Sequence, residues 1–483
     1  MRVALVQSVR DELMGPLFLA EALEQAGHEV RHVLPEKRWM DRLAAFCPNV
    51  VGISVSTLDH PWALDRAKRI KRELPGPPPV VLGGAHPTFA PDIVEDPAVD
   101  AICRGEGERA FVDLLAGMRG NRLPVDTPSF WIKQNGRLYK NPRGPLIENL
   151  DDIPFPTRAT LYRDYPDLAR HAFPRLVTSR GCHHNCSYCS LPAYRRLYKG
   201  CGPAIRRRSV PHVMRELRHL KNAYGRFRLE FYDDMFVSDK QWLAEFAEAN
   251  MSDTMVEYNC MIEASMVDEE VARLLAASGC NTACVGIETG NETRRRKLLN
   301  KQLSDEQIVR ACNTLSGHGI RLLTYNMFGL PGETVEDAFE TVRINQRIKP
   351  FFPYSTIYTP LPGTKLAGVC AREYGYPAEQ QIEDATNTWL SQSRVPNPQA
   401  DQLTNIQRFF AIMVHFPRIE PVVRQLIKLP PNKLFYGIQA AWYANLVYKR
   451  TGLDLATLTR LVYRYHSIYW QGVRKRVVDP LME

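Results

Sequence analysis

The chain has 483 residues, 45% apolar and 24% charged, with a net charge of +9, which reads as a globular protein of two or three domains. Eleven cysteines, mostly scattered singly, argue against a disulfide framework. No run of about 20 uninterrupted apolar residues is present, so a transmembrane helix is not expected.

Residues 1–120 alternate strand-like and helical segments. The opening Met-Arg-Val-Ala-Leu-Val reads as a strand rather than a secretory leader, so a reducing, cytoplasmic setting is expected. Strands are predicted at Arg2–Gln7, Glu29–Leu34, Val50–Ser56, Pro79–Leu82 and Ala101–Cys103, with helices at Pro16–Gly27 and Trp62–Leu74. This alternation predicts an open, parallel, doubly wound Rossmann-like α/β sheet. Ligands of such sheets bind beyond the carboxyl ends of the strands, where the strand order switches. Those ends carry Thr57-Leu-Asp-His-Pro-Trp62, Gly83-Gly-Ala-His-Pro-Thr88 and Arg104-Gly-Glu-Gly-Glu108. Paired glycines let backbone approach a ligand, although they also serve plain turns.

Residues 121–172 change texture. The proline-punctuated Glu148-Asn-Leu-Asp-Asp-Ile-Pro-Phe-Pro156 predicts a connector between domains.

Next come Cys182, Cys186 and Cys189, spaced C-x3-C-x2-C. Three thiolates can hold three corners of a [4Fe–4S] cube. The missing fourth ligand leaves one iron open to a small molecule with an amine and a carboxylate. A zinc site, normally with four ligands, and three unrelated thiols are the alternatives.

From residue 173 to 376, strands are predicted at Arg175–Ser179, Arg228–Tyr232, Tyr258–Ile262, Thr282–Gly286, Leu322–Met327 and Tyr354–Thr359. Helical patterns at Val210–Tyr224, Trp242–Asn250, Glu269–Ala277, Asp305–His318 and Thr334–Ile348 separate most of them. The set predicts a partial (β/α)6 barrel, with function at the carboxyl ends of its strands. Those ends read Phe231-Tyr-Asp-Asp234, Gly286-Ile-Glu-Thr-Gly290 and Asn326-Met-Phe-Gly-Leu-Pro-Gly-Glu-Thr334. Thr334 is expected to cap the following helix. Cys47, Cys103, Cys260, Cys312 and Cys370 read as core residues. Cys280 and Cys284 also take a structural reading, and Cys201 lies in a turn after the cysteine loop.

Residues 377–483 predict a helical C-terminal region, with helices at Ile406–His415, Glu420–Leu429, Lys433–Arg450 and Leu455–Arg476. From Asp401 onward there are twelve Lys/Arg against five Asp/Glu, with many aromatics, including Tyr463, Tyr465, Tyr469 and Trp470. Packing on the barrel is the plain expectation; a substrate lid or a peripheral membrane contact is the functional one.

Taken in order, these motifs resemble the cobalamin (B12)-binding-domain-containing radical S-adenosylmethionine (SAM) enzymes, with residues 1–115 resembling their cobalamin domain. The resemblance implies three cofactors: a [4Fe–4S] cluster on Cys182, Cys186 and Cys189, SAM, and cobalamin. It implies Tyr188, Gly329 and Gly332 beside the SAM adenine, Asp233 and Asp234 at its ammonium, and Glu288 near its ribose. For cobalamin it implies Ser54, Thr57, His60, Trp62, Gly83, Gly84, His86, Gly105 and Glu106. The chain lacks D-x-H-x-x-G, the signature of a histidine below cobalt. The loop Thr57–Trp62 is therefore expected under the corrin, with His60 and Trp62 as equal candidates; alternatively Trp62 packs in the core and His60 caps a helix.

The implied function is methylation of an unactivated carbon of a small-molecule or lipid-like substrate, through a 5′-deoxyadenosyl radical and methylcobalamin. An electron donor such as flavodoxin or ferredoxin is implied as a partner. The same cofactors also serve non-methylating cyclisation, ring contraction or coupling. A non-catalytic B12 carrier or sensor is the rival outside catalysis. A methylthiotransferase needs a second cluster on N-terminal cysteines, where the chain has Cys47 and Cys103 alone. No nucleic-acid recognition module is evident, so none is expected as a partner.

Overall fold

The computed structural model describes residues 1–170, 174–225, 228–388 and 393–451. The first sheet comprises β1 (Arg2–Val6), β2 (Glu29–Val33), β3 (Val50–Ser54), β4 (Val80–Gly83), β5 (Ala101–Cys103), β6 (Phe130–Gln134) and β7 (Arg137–Lys140), in the order β2-β1-β3-β4-β5-β6-β7. Strands β1 to β5 pair in parallel. Their runs are buried on both faces, as a helix-covered parallel sheet requires. Val3, Leu5, Val50 and Val81 pack with Leu114 on one side, whereas Ala4, Val6, Val51 and Ile53 pack with Ala67 and Ile70 on the other. The strand order reverses between β1 and β3, which opens the crevice at their carboxyl ends.

Residues 121–172 are not one continuous connector. Strands β6 and β7 form a hairpin that extends the sheet antiparallel to β5. Its turn is Asn135-Gly136, both at positive φ (53° and 71°), the two-residue geometry whose twist suits a hairpin. Cys47 is also not a core residue: it is exposed, in a left-handed conformation at the end of helix Trp39–Phe46.

The second sheet takes β8 (Arg175–Leu176), β11 (Leu229–Phe231), β12 (Tyr258–Ile262), β13 (Cys280–Glu288), β14 (Arg321–Phe328) and β15 (Phe352–Ile357), all parallel, in the order β15-β14-β13-β12-β11-β8. Between β8 and β11 the chain forms a separate antiparallel pair, β9 (Ser179–Arg180) and β10 (Arg206–Arg207). The expected strand Arg175–Ser179 is thus broken. At the break, the Asp233 carboxylate accepts from the Thr178 amide (3.0 Å) and from the Thr178 and Ser179 hydroxyls (2.6 and 2.5 Å).

Outward residues of this sheet, such as Phe231, Tyr258, Cys260 and Val285, form a core with the surrounding helices. Helix Val210–Tyr224 starts at a Ser209 cap with proline in its first turn, and Thr334 caps helix Val335–Ile348 in a reciprocal box with Asp337. C-terminal helices Ala400–His415 and Lys433–Thr451 pack on the barrel through Leu403, Phe410, Phe435, Trp442 and Tyr443. The expected helix Leu455–Arg476 lies outside the described residues, as do Tyr463, Tyr465, Tyr469 and Trp470. Among the described residues no helix is long and apolar enough to cross a membrane.

A buried ion network joins the two sheets. Arg158, from the segment between them, meets Glu216 on helix Val210–Tyr224 at 2.9 Å and Glu12 after β1 at 3.5 Å; Arg208 reaches Glu216 at 2.7 Å. Arg158 and Glu216 are fully buried, so each charge depends on its partners.

Candidate functional site

A cavity of about 420 Å³ lies between the carboxyl ends of the first sheet and the cysteine-bearing side of the second. Ser54, Gly83, Gly84, Gly105 and Glu106 line it from the first sheet, and Arg180, Gly181, Tyr232 and Asp234 from the second. Side chains are excluded from parts of the rim by geometry. At Gly84 (φ 106°) a Cβ would stand 2.8 Å from the Val55 carbonyl, and at Gly105 (φ 90°) it would stand 2.0 Å from the Tyr198 hydroxyl. Behind the rim, Leu5, Gly52, Val81 and Phe111 line an apolar recess. A glycine rim over an apolar recess suits a large ligand with one flat uncharged end, which fits cobalamin.

Thr57, His60, Trp62 and His86 do not line this cavity. His60 opens helix His60–Glu73, its Nδ1 2.9 Å from the Thr57 carbonyl. Its ring stacks on His86 at 4.6 Å, and His86 Nδ1 lies 3.3 Å from Thr57 Oγ1. Burial lowers both histidines, His86 to about 4. Trp62 packs on the Arg66 guanidinium.

The cysteine loop follows β9 directly. Gly181 (φ 90°) permits its exit, since a Cβ there would meet the Ala204 carbonyl at 2.1 Å. Arg195 binds the loop from within, donating to the carbonyls of Cys182 and His184. Asn300 donates to the Asn185 carbonyl at 2.7 Å, and the Ser187 amide donates to the Leu299 carbonyl. The three sulfurs are part-buried, and burial raises their thiols, Cys189 to about 12. Backbone amides of His184 and Leu191 approach Cys182 and Cys189 Sγ at 3.4 and 3.5 Å. A cationic guest is what such thiols need to become thiolates. Among the described residues no three His, Cys, Asp or Glu side chains converge on one ion. The thiolates of a cubane sit on different irons, so three cysteines can hold one without converging on a single ion.

The two aspartates after β11 differ. Asp233 is 1% exposed and holds the β8–β9 break through one oxygen, leaving Oδ2 without a partner. Burial raises it, opposed by the Ser179 and Thr178 hydrogen bonds. Asp234 accepts from the Gly181 amide at 2.8 Å and faces the cavity. Glu288 ends β13 at a bulge, with φ 70°, and its carboxylate folds back over Gly286, where a Cβ would lie 2.2 Å from Oε1. Lys301, 9% exposed, reaches Glu288 at 3.4 Å. Burial works against the Lys301 charge, but Glu288, Glu263 and Cys186 more than offset it. Tyr188 is raised by burial and by Glu288 beside it. Gly329 and Gly332 take φ of 75° and 65°, and the turn closes on Glu333, which accepts from the Gly329 and Leu330 amides.

Sequence reasoning missed Arg180, Arg195, Lys301 and Glu333. Arg180 precedes the cysteine loop and pairs with Glu106 (2.8 Å) and Glu108 (2.5 Å) across the cavity; Arg206 also meets Glu106 at 2.8 Å. Burial opposes the Glu106 charge, yet these arginines hold it below the usual carboxylate range.

Residues 176–344 match the family profile described as the Radical SAM superfamily, and residues 13–115 that of the B12 binding domain. The chain is 31% identical over 324 residues to an uncharacterized methyltransferase of Pyrococcus horikoshii, covering 66% of this chain and 69% of that one. It is 26% identical to an anaerobic magnesium-protoporphyrin IX monomethyl ester cyclase of Rubrivivax gelatinosus, covering 69% and 60%. Its fold matches that of a radical SAM methyltransferase from Kitasatospora setae, solved with cobalamin and a [4Fe–4S] cluster. The TM-score is 0.62 at 20% identity, over 77% of this chain and 78% of that one.

Proposed function

The chain belongs to the radical SAM enzymes that carry a cobalamin-binding domain, with a [4Fe–4S] cluster, SAM and cobalamin as their cofactors, and from that premise we propose that it methylates an unactivated carbon of a small molecule. The observation that carries this reading is the shared cavity: its walls come from the glycine rim on one side and from Gly181, Tyr232 and Asp234 beside the cysteine loop on the other. A methyl carrier and a radical initiator must both reach one substrate carbon, and a common cavity supports that.

Cys182, Cys186 and Cys189 would hold the cluster. Asp234, with Asp233 behind it, would receive the SAM ammonium, because a cation taken from water needs anionic acceptors. Lys301 and Glu288 would anchor the carboxylate and hydroxyl groups of SAM, and the Gly329–Gly332 turn with Tyr188 would border its adenine. Ser54, Gly83, Gly84 and Gly105 would lie against cobalamin, while Glu106, engaged by two arginines, would hold the wall in place. When bound, the cluster supplies the electron that opens SAM, and cobalamin carries the methyl group. The chain's own residues orient the reactants, exclude water and keep the loop fixed. A cytoplasmic location with a flavodoxin- or ferredoxin-like donor suits the free cysteines.

The test uses anaerobically reconstituted protein, reductant and SAM carrying a deuterated methyl group. The expected result is 5′-deoxyadenosine together with deuterium recovered in cobalamin extracted from the protein. Deoxyadenosine without label in cobalamin would favour a cyclase-type reaction, a reading supported by the likeness to the Rubrivivax cyclase. Bound cobalamin with no SAM cleavage would leave a carrier.

A further inference from the structure

The inner face of the barrel carries a group of side chains that neither the outer core nor the proposed cofactor contacts use. Strand alternation turns Met261 and Tyr354 inward from β12 and β15, and Tyr232 stands at the end of β11. Tyr232 is 54% exposed and Met261 38%, so both present apolar surface at neighbouring strand ends of the barrel. Tyr232 also lines the shared cavity, so it stands between that cavity and the inner face. Below them the floor is aromatic. Tyr325 meets Tyr354 edge-on at 5.8 Å, and Tyr354 stacks on Tyr443 of helix Lys433–Thr451 at 5.9 Å.

The charges at this chamber are already answered. Arg175, whose guanidinium lies 4.8 Å from the Tyr232 ring, pairs with Asp11 at 2.8 Å and approaches Glu230 at 3.8 Å. Lys301 pairs with Glu288 and, in the reading above, is taken up by the carboxylate of SAM. A phosphate or carboxylate anchor on the substrate would have to displace one of these carboxylates, each in a part-buried site.

We propose that the chamber binds a flat, uncharged aromatic substrate, its ring held between Tyr232 and Met261 over the tyrosine floor. This rests on the enzyme reading above and specifies its substrate class. Tyrosine edges and faces add attraction for another aromatic ring beyond area burial, and a thioether adds its own preference for ring edges. A saturated chain of equal size gains burial alone.

The test is equilibrium dialysis of the full chain, reconstituted with cluster and cobalamin, against 2-naphthol and its saturated counterpart decahydro-2-naphthol. Two added ring contacts predict about tenfold tighter binding of naphthol. Tyr232→Leu should bring the two ligands near parity, whereas Tyr232→Phe should keep the preference. Met261→Leu, which conserves volume, should lower it by a smaller factor, and the iron content of each variant verifies folding. Equal binding of the two ligands, or a preference untouched by Tyr232→Leu and Met261→Leu, overturns the proposal. Wild-type protein that prefers naphthol but yields no 5′-deoxyadenosine would overturn the enzyme reading and leave the chamber standing.

Discussion

The two sets of strand ends that face each other solve opposite problems. On the first sheet, the cavity is walled by backbone: Gly83, Gly84 and Gly105 line it, and at the last two a Cβ would run into the Val55 carbonyl or the Tyr198 hydroxyl. On the second, polar side chains are added and fixed: Asp233 by two hydroxyls and an amide, Glu288 by Lys301, Glu333 by two amides. One side is a shape, the other a set of charges. The difference predicts that substitutions will fail in different ways on the two sides.

The largest effect is expected at the cysteines. Cys186→Ala should abolish 5′-deoxyadenosine formation and lower iron content, while cobalamin retention on the other side persists. Next is Gly84→Val. Its φ of 106° with ψ of −163° belongs to a region reserved almost wholly to glycine, at a cost of about 1–3 kcal/mol, and the blocking atom is a backbone carbonyl. Cobalamin retention on gel filtration should fall about fivefold or more by that cost, with the cluster absorbance kept. Were both cofactors lost to the same degree, the two sides would act as one site.

Glu216→Gln tests what lies behind both sides. Two buried arginines would lose their carboxylate, costing about 3–5 kcal/mol in urea unfolding, and both cofactors should bind more weakly. Glu333 gives a subtler signature. Burial raises its carboxyl from 4.5 to about 8, so the folded chain holds a proton that the unfolded chain releases. Its contribution is complete below about pH 4.5 and is lost as pH rises through about 8. Glu333→Gln should therefore flatten the fall in thermal midpoint across that window; an unchanged slope would remove Glu333 as its source. The smallest effect on the two sites is expected at the hairpin, where Gly136→Ala at φ 71° should cost about 1–2 kcal/mol of stability and leave both cofactors bound.

How much could be read from the sequence follows from the same division. Helix Val210–Tyr224 has its predicted bounds because Ser209, Pro211 and Gly225 mark both ends locally. Strand β3 was legible because a fully buried parallel strand reads as an unbroken apolar run. The cysteine loop was legible because its ligands are close in sequence. The hairpin β6–β7 had a readable turn in Asn135-Gly136, but its second strand is half-exposed and lacks apolar alternation. Lys301 was not legible: it reaches Glu288 through a loop after helix Glu292–Lys297, and no local pattern announces that return. Arg180 and Glu106 lie 74 positions apart, so their pairing appears only once both sheets are built. His60 and Trp62 show the converse: a loop in the expected place whose side chains turn to His86 and Arg66 instead of the cavity.

The Arg180 pairing has a thermodynamic consequence. The residue two positions before Cys182 is tethered to Glu106 and Glu108, so the spacing of the two facing sites is set by ion pairs across the cavity as well as by the connecting chain. Whatever first orders that wall lowers the ordering cost left for the second guest, and by linkage the effect is mutual. Loading of either cofactor should then ease loading of the other without being required for it, so a variant that loses one cofactor keeps the other at reduced affinity.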